Sequence, residues 1–145
     1  MNQEPPTVED MYREGMQVLG RSSHKLGIPH SGSPEDARFR GIFGASTEVV
    51  ARAWHMMMEH DLLPPEPVCQ HYLWVLAFMR TYPKNDKALS RLLGNADPKT
   101  IRKYIWMYID SLFDLNFHVV SFEFWYDFHP FLLLISRLLS KLKCC

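Results

Sequence analysis

Cysteine is scarce in this 145-residue chain: there are three, Cys69, Cys144 and Cys145, the last two adjacent. Three such residues cannot make a disulfide framework, and with no apolar signal stretch at the N-terminus they point to a reducing, intracellular setting. Long apolar runs are missing as well. The longest near the C-terminus, residues 131–135, is broken by Ser136, Arg137, Lys141 and Lys143, far short of the roughly 20 residues of a membrane span, so no transmembrane helix is expected. The sequence also contains no catalytic triad, no phosphate-binding glycine loop and no paired acid–base carboxylates. No enzymatic activity, cofactor or small-molecule substrate is therefore expected.

What the chain does have is apolar material, 47% hydrophobic with 13% aromatic, enough for one domain of this length to bury a single core and offset its chain entropy. The formal net charge is zero, yet the charges are unevenly placed. Residues 1–79 carry six basic and ten acidic side chains, residues 80–104 seven and two, and residues 105–145 three and four. A phosphate backbone responds to local potential, so residues 80–104 form an electrostatic footprint that the overall balance hides.

The pattern along the chain predicts an all-α fold, a small helical bundle, in three parts. Residues 1–33 are interrupted by Pro5, Pro6, Gly15, Gly20, Gly27, Pro29 and Gly32 and read as a flexible arm, with a short helix over 8–19. Residues 34–116 read as the helical domain. Ser33 and Pro34 open a short helix that Gly44 stops. Ser46 precedes a helix carrying Val49, Val50, Ala53, Trp54 and Met57 at helical spacing. Residues 68–82 contain an unbroken apolar block, YLWVLAFM, which predicts a helix buried on all sides at the centre of the core. Asn85 or Asp86 then caps a short helix that ends at Gly94. Asp97 and Pro98 open the best-marked helix, with Ile101, Tyr104, Ile105, Tyr108, Leu112 and Leu115 along one stripe. In residues 117–145, FHVVSFEFWY (117–126) alternates like a lone strand, which must pair with another chain or belong to a sheet whose remainder is missing. An apolar C-terminal helix follows.

The turn around Gly94 is short enough to hold two helices at an angle, as in a helix-turn-helix. The second helix would be the reader. Lys99, Arg102, Lys103 and Trp106 recur at i, i+3, i+4 and i+7 and form a face distinct from the apolar stripe, suited to phosphates and base edges of double-stranded DNA. Lys87 and Arg91 flank it from the preceding helix. Cations at a helix N-terminus oppose the helix dipole, a mild cost that binding an anion offsets.

The segments RFRGIFGASTEVVARAW (38–54), PVCQHYLWVLAFMRTYP (67–83), LSRLLGNADPKTIRKYIWMYIDSL (89–112) and VVSFE (119–123) resemble the N-terminal helix-turn-helix region of Harbinger-type transposases of the DDE superfamily. The resemblance covers residues 38–123. Its most specific parts are the FG-S pattern at 43–46, the apolar block with its following Tyr-Pro, and D-P-K-T-x-R-K-x-x-W at 97–106. It implies that Lys99, Thr100, Arg102 and Lys103 lie on a DNA-facing helix, and that the setting is nuclear. The chain departs from the family after Glu123, where Phe124 and Trp125 replace the lead into a metal-holding RNase H-like domain, and Asp127 is the only later carboxylate. Two-metal phosphoryl chemistry needs convergent carboxylates, so a DNA-binding part truncated before the catalytic domain is expected, without strand cleavage of its own.

Other features carry blander expectations. Cys69, His71, His55 and His60 match no common zinc spacing, so no metal site is expected. The run Met56, Met57, Met58 reads as gap-filling core. Cys144 and Cys145 beside a basic flank have the composition of a two-signal lipid anchor but lack a C-a-a-X box. A protein partner engaged through residues 117–143 is the competing function, and an inert transposon-derived fragment is the third.

Overall fold

The computed structural model describes residues 4–19 and 31–116. Six helices follow in order: α1 Val8–Val18, α2 Pro34–Phe43, α3 Thr47–Glu59, α4 Cys69–Thr81, α5 Asp86–Leu92 and α6 Pro98–Asn116. No strand occurs among the described residues, and the fold is all-helical.

Local chemistry accounts for most boundaries. Ser33 caps α2 by accepting from the Asp36 N–H at 3.2 Å, Pro34 opens it, and Gly44 closes it in the left-handed conformation. Ser46 caps α3 through the Val49 N–H. Asn85, rather than Asp86, caps α5, its side-chain oxygen accepting from the Ala88 N–H at 2.9 Å. Asp97 does the same for α6, accepting from the Thr100 N–H at 3.0 Å.

The central helix is α4, which packs against α1, α2 and α6. Tyr72, Leu73, Trp74, Val75, Leu76, Ala77 and Met79 are all buried, as a helix apolar on every side requires. A second ring of contacts runs from α3: the Tyr72 hydroxyl donates to the Val50 carbonyl at 3.0 Å. The Trp54, Tyr72 and Tyr108 rings meet between α3, α4 and α6, with centroids 5.4–6.4 Å apart. Of the methionine run, Met57 lies in the core, Met56 packs at its edge and Met58 is exposed.

The N-terminal arm expected over 1–33 needs correction at α1. This helix opens with a capping box between Thr7 and Asp10 and buries Met11, Tyr12, Met16 and Val18. Its apolar positions, with Val8 and Leu19 at the ends, fall at i, i+3, i+4, i+8, i+10 and i+11, enough for one inward stripe. Gly15 is the reason the stripe is hard to see. It is no breaker here: a Cβ on it would lie 2.7 Å from Phe39 and 3.1 Å from Phe43, so its bare backbone lets α1 approach α2. The strand expected over 117–126 and the apolar helix after it lie outside the described residues, as do residues 1–3 and 20–30.

Candidate nucleic-acid interface

The connection from α5 to α6 is closed by a Schellman-type turn. Gly94 (φ 73°) and Asn95 (φ 63°) are both left-handed, and the Asn95 N–H donates to the Ser90 carbonyl at 2.7 Å. The Ser90 hydroxyl reaches across the turn to the Ala96 carbonyl at 2.8 Å. Leu93 is buried, and a Cβ on Gly94 would stand 3.1 Å from the Val18 carbonyl, so the turn rests on the end of α1. The two helices are thus held by side-chain, backbone and core contacts together.

From this junction α6 divides into two faces. Ile101, Ile105, Tyr108, Ile109, Leu112 and Leu115 are buried against the bundle. Lys99, Thr100, Arg102, Lys103 and Trp106 are exposed, as are Lys87 and Arg91 on α5. The structure therefore brings all six sequence-predicted residues to the α5–α6 surface, but in different states. Among the described residues, Lys87, Arg91, Lys99 and Lys103 take part in no ion pair. The Lys103 ammonium stands 5.5 Å from the Tyr104 ring centroid. Thr100 is occupied in the cap, its hydroxyl donating to Asp97 at 3.0 Å. Arg102 is ion-paired to Asp86 at the start of α5.

The charge order along α6 is unusual within this molecule. α1, α2, α3 and α5 all carry acidic residues in their first turns, where the helix dipole favours them. α4 and α6 carry none there, and α6 also lacks a basic residue in its last turn, where α4 has Arg80. Its exposed surface opens on the Asp97 cap carboxylate, carries Lys99, Arg102 and Lys103 in the first two turns and continues with Asp110 and Asp114.

Three features of this surface had no sequence signal. One is Asp86 as the partner of Arg102, sixteen residues away. Another is a cleft of about 250 Å³ lined by Phe78, Tyr82, Asp86, Arg102 and Trp106 among others, in which Trp106 remains 53% exposed. The third is a ring stack joining α4 to α6: His71 lies 3.5 Å from Tyr104, interplanar angle 14°, with Trp74 beside both. Burial pulls the His71 imidazole below its ordinary pKa.

Cys69 sits away from this face. Burial, followed by the charges of Glu14 and Asp10, pushes its thiol up to about 11, so it is protonated at neutral pH. Among the described residues no three His, Cys, Asp or Glu side chains gather where they could hold a metal ion, and no helix is long and apolar enough to cross a membrane. Residues 117–143, the alternative partner-binding segment, lie outside the described residues. Comparison with protein-family models, curated proteins and solved structures finds no match.

Proposed function

We propose that this chain is a DNA-binding module of the helix-turn-helix type, related to the N-terminal part of Harbinger-type transposases, nuclear in setting and without catalytic activity of its own. In this reading α5 lies across the backbone and the N-terminal half of α6 approaches the major groove. The observation that carries it is the cluster of exposed cations around the α5–α6 turn, Lys87 and Arg91 on α5 with Lys99, Arg102 and Lys103 in the first two turns of α6. Lys99 lies in the first turn of α6, where the helix dipole disfavours a cation by about 0.3–1 kcal/mol, a cost that an anion bound at that end would offset.

Further support comes from the turn. It is clamped by Ser90, Gly94 and Asn95 and rests on α1, so the basic side chains of α5 and α6 are presented from a rigid base. Phosphate contact needs charge in the right place, whereas overall neutrality matters little within a Debye length of about 8–10 Å. Lys87, Arg91, Lys99 and Lys103 are cations of this surface outside any ion pair among the described residues, and four phosphate contacts correspond to a salt slope of about −3.6 on B-form DNA.

The test is fluorescence anisotropy of the folded chain with a labelled duplex over a salt series. The expected result is an affinity that falls linearly in log–log form with a slope between about −3 and −4. A folded protein that binds no duplex at low salt overturns the proposal.

A further inference from the structure

We infer that Arg102 reads a guanine edge and that Asp86 is the residue that positions it for that purpose. This rests on the DNA-binding reading above and divides its surface by task. Among the described residues, Lys87, Arg91, Lys99 and Lys103 take part in no ion pair, while the Arg102 guanidinium is paired with the Asp86 carboxylate across the α5–α6 junction. A phosphate approaching Arg102 therefore meets a carboxylate beside it and is attracted less than by a cation outside any ion pair. The acceptors on a guanine edge, O6 and N7, carry no formal charge, so that carboxylate repels them less than it repels a phosphate. The unpaired lysines suit phosphates, and the paired arginine suits a base.

Geometry agrees with that division. The pair is made through one N–H of a terminal nitrogen of Arg102, Nη2, whose second N–H still forms a parallel fork with the N–H of a neighbouring guanidinium nitrogen. An arginine has five donors in a planar fork, and two of them suffice for the bidentate guanine contact. Arg102 lies in the second turn of α6, on the exposed face that continues through Lys103 and Trp106. Trp106 walls the same cleft one turn further on. The side chain is thereby held at one end of its arc, and its rotamer freedom is reduced before DNA arrives.

An opposing interpretation is that Asp86 withholds Arg102 from DNA. Magnitude decides between them. Both side chains are about half exposed, 58% and 48%, and an ion pair of that kind shifts an equilibrium by no more than about fivefold. That is too little to exclude Arg102 from a phosphate-lined groove but enough to bias its rotamer. A bidentate arginine–guanine contact discriminates against the wrong base by about fivefold to 150-fold.

The experiment uses the full chain with duplexes selected from a randomised library. Selected duplexes are expected to share a guanine, and replacing it by 7-deazaguanine, which lacks the N7 acceptor, should weaken wild-type binding at least about fivefold. Arg102→Ala, which has no donor, should bring the ratio between the guanine and 7-deazaguanine duplexes to about one. Asp86→Asn should lower that ratio while steepening the salt slope by about one, because the freed guanidinium moves to a phosphate. Loss of discrimination together with a gain in salt dependence is not what a purely structural role for Asp86 produces. Should Asp86→Asn lose its helical circular dichroism, the 7-deazaguanine comparison on the wild type decides. Salt-dependent wild-type binding that is indifferent to 7-deazaguanine overturns the inference alone; no duplex binding at all overturns the DNA-binding reading with it.

Discussion

The Tyr108 hydroxyl on α6 bridges both backbone groups of Val68, accepting from its N–H at 2.9 Å and donating to its carbonyl at 3.1 Å. Val68 is the N-cap residue of α4 and has no side-chain oxygen to offer the helix. The basic helix therefore ties down the entrance of the central one, and the two form a single mechanical unit.

Tyr108→Phe keeps the ring among Trp54 and Tyr72 but leaves the Val68 N–H without its partner. The expected cost is about 1–2 kcal/mol, near the middle of the range for an unsatisfied backbone donor. Urea unfolding followed by circular dichroism should show a lower midpoint with an unchanged slope. A midpoint equal to wild type would mean that water replaces the hydroxyl without penalty.

Gly15→Ala should destabilise the protein although alanine is the better helix former. The change gains about 1 kcal/mol in helix propensity, but the new Cβ would stand 2.7 Å from Phe39 and 3.1 Å from Phe43. Overpacking of this kind costs about 1–3 kcal/mol. Both rings belong to a buried cluster with Tyr12, so they have little room to yield. The thermal midpoint is the readout, and a rise would show that α1 and α2 separate easily.

Alkaline pH should unfold the chain through its buried tyrosines. Burial pushes the Tyr108 hydroxyl up to about 12, against an ordinary value near 10. The fully buried Tyr72 hydroxyl is raised further, again by burial first. A folded-state pKa above the unfolded one means that the unfolded chain releases its protons first as pH rises. The stabilisation is complete below pH 10 and is lost from about pH 10 through 12. Urea midpoints measured from pH 8 to 12 should be level and then fall, with a shallower fall in Tyr72→Phe. An unchanged slope in that variant would remove Tyr72 from the account.

Lys99→Ala/Lys103→Ala should reduce the salt slope of duplex binding by about two, since each phosphate no longer neutralised lowers it by about 0.9. Neither side chain takes part in an ion pair among the described residues, and removing Lys99 from the first turn of α6 relieves the dipole by about 0.3–1 kcal/mol. The double variant is expected to melt no lower than wild type while binding DNA more weakly. A lower melting temperature with unaltered binding would place these residues in the fold and not in the interface.

Much of the fold is legible in the sequence because helix ends are written in local chemistry. Ser33 with Pro34, Ser46, Asn85 and Asp97 with Pro98 each announce a start within three residues of the N–H they cap. The buried status of α4 follows from an apolar block with no polar face. α1 is harder to read because Gly15 has two opposite meanings, breaker or close-approach point, and only the presence of Phe39 and Phe43 beside it selects one. The basic face of α6 is visible as spacing. Which of its members remain free is not, since Arg102 is claimed by a residue in another helix.

Short-range physics, then, is what the residues determined alone: the caps of α2, α3 and α6, the start of α5 to within one residue, the inward stripes, and the local excess of positive charge over 80–104. Those depend on neighbours three or four positions apart, and the helix period places them on one face. Tertiary structure decided the rest by bringing distant residues together: Tyr108 onto Val68 across forty residues, Asp86 onto Arg102 across sixteen, and the Gly94 turn onto the end of α1. Such pairs depend on how helices pack, and packing is set by the summed shape of a core that no local pattern contains.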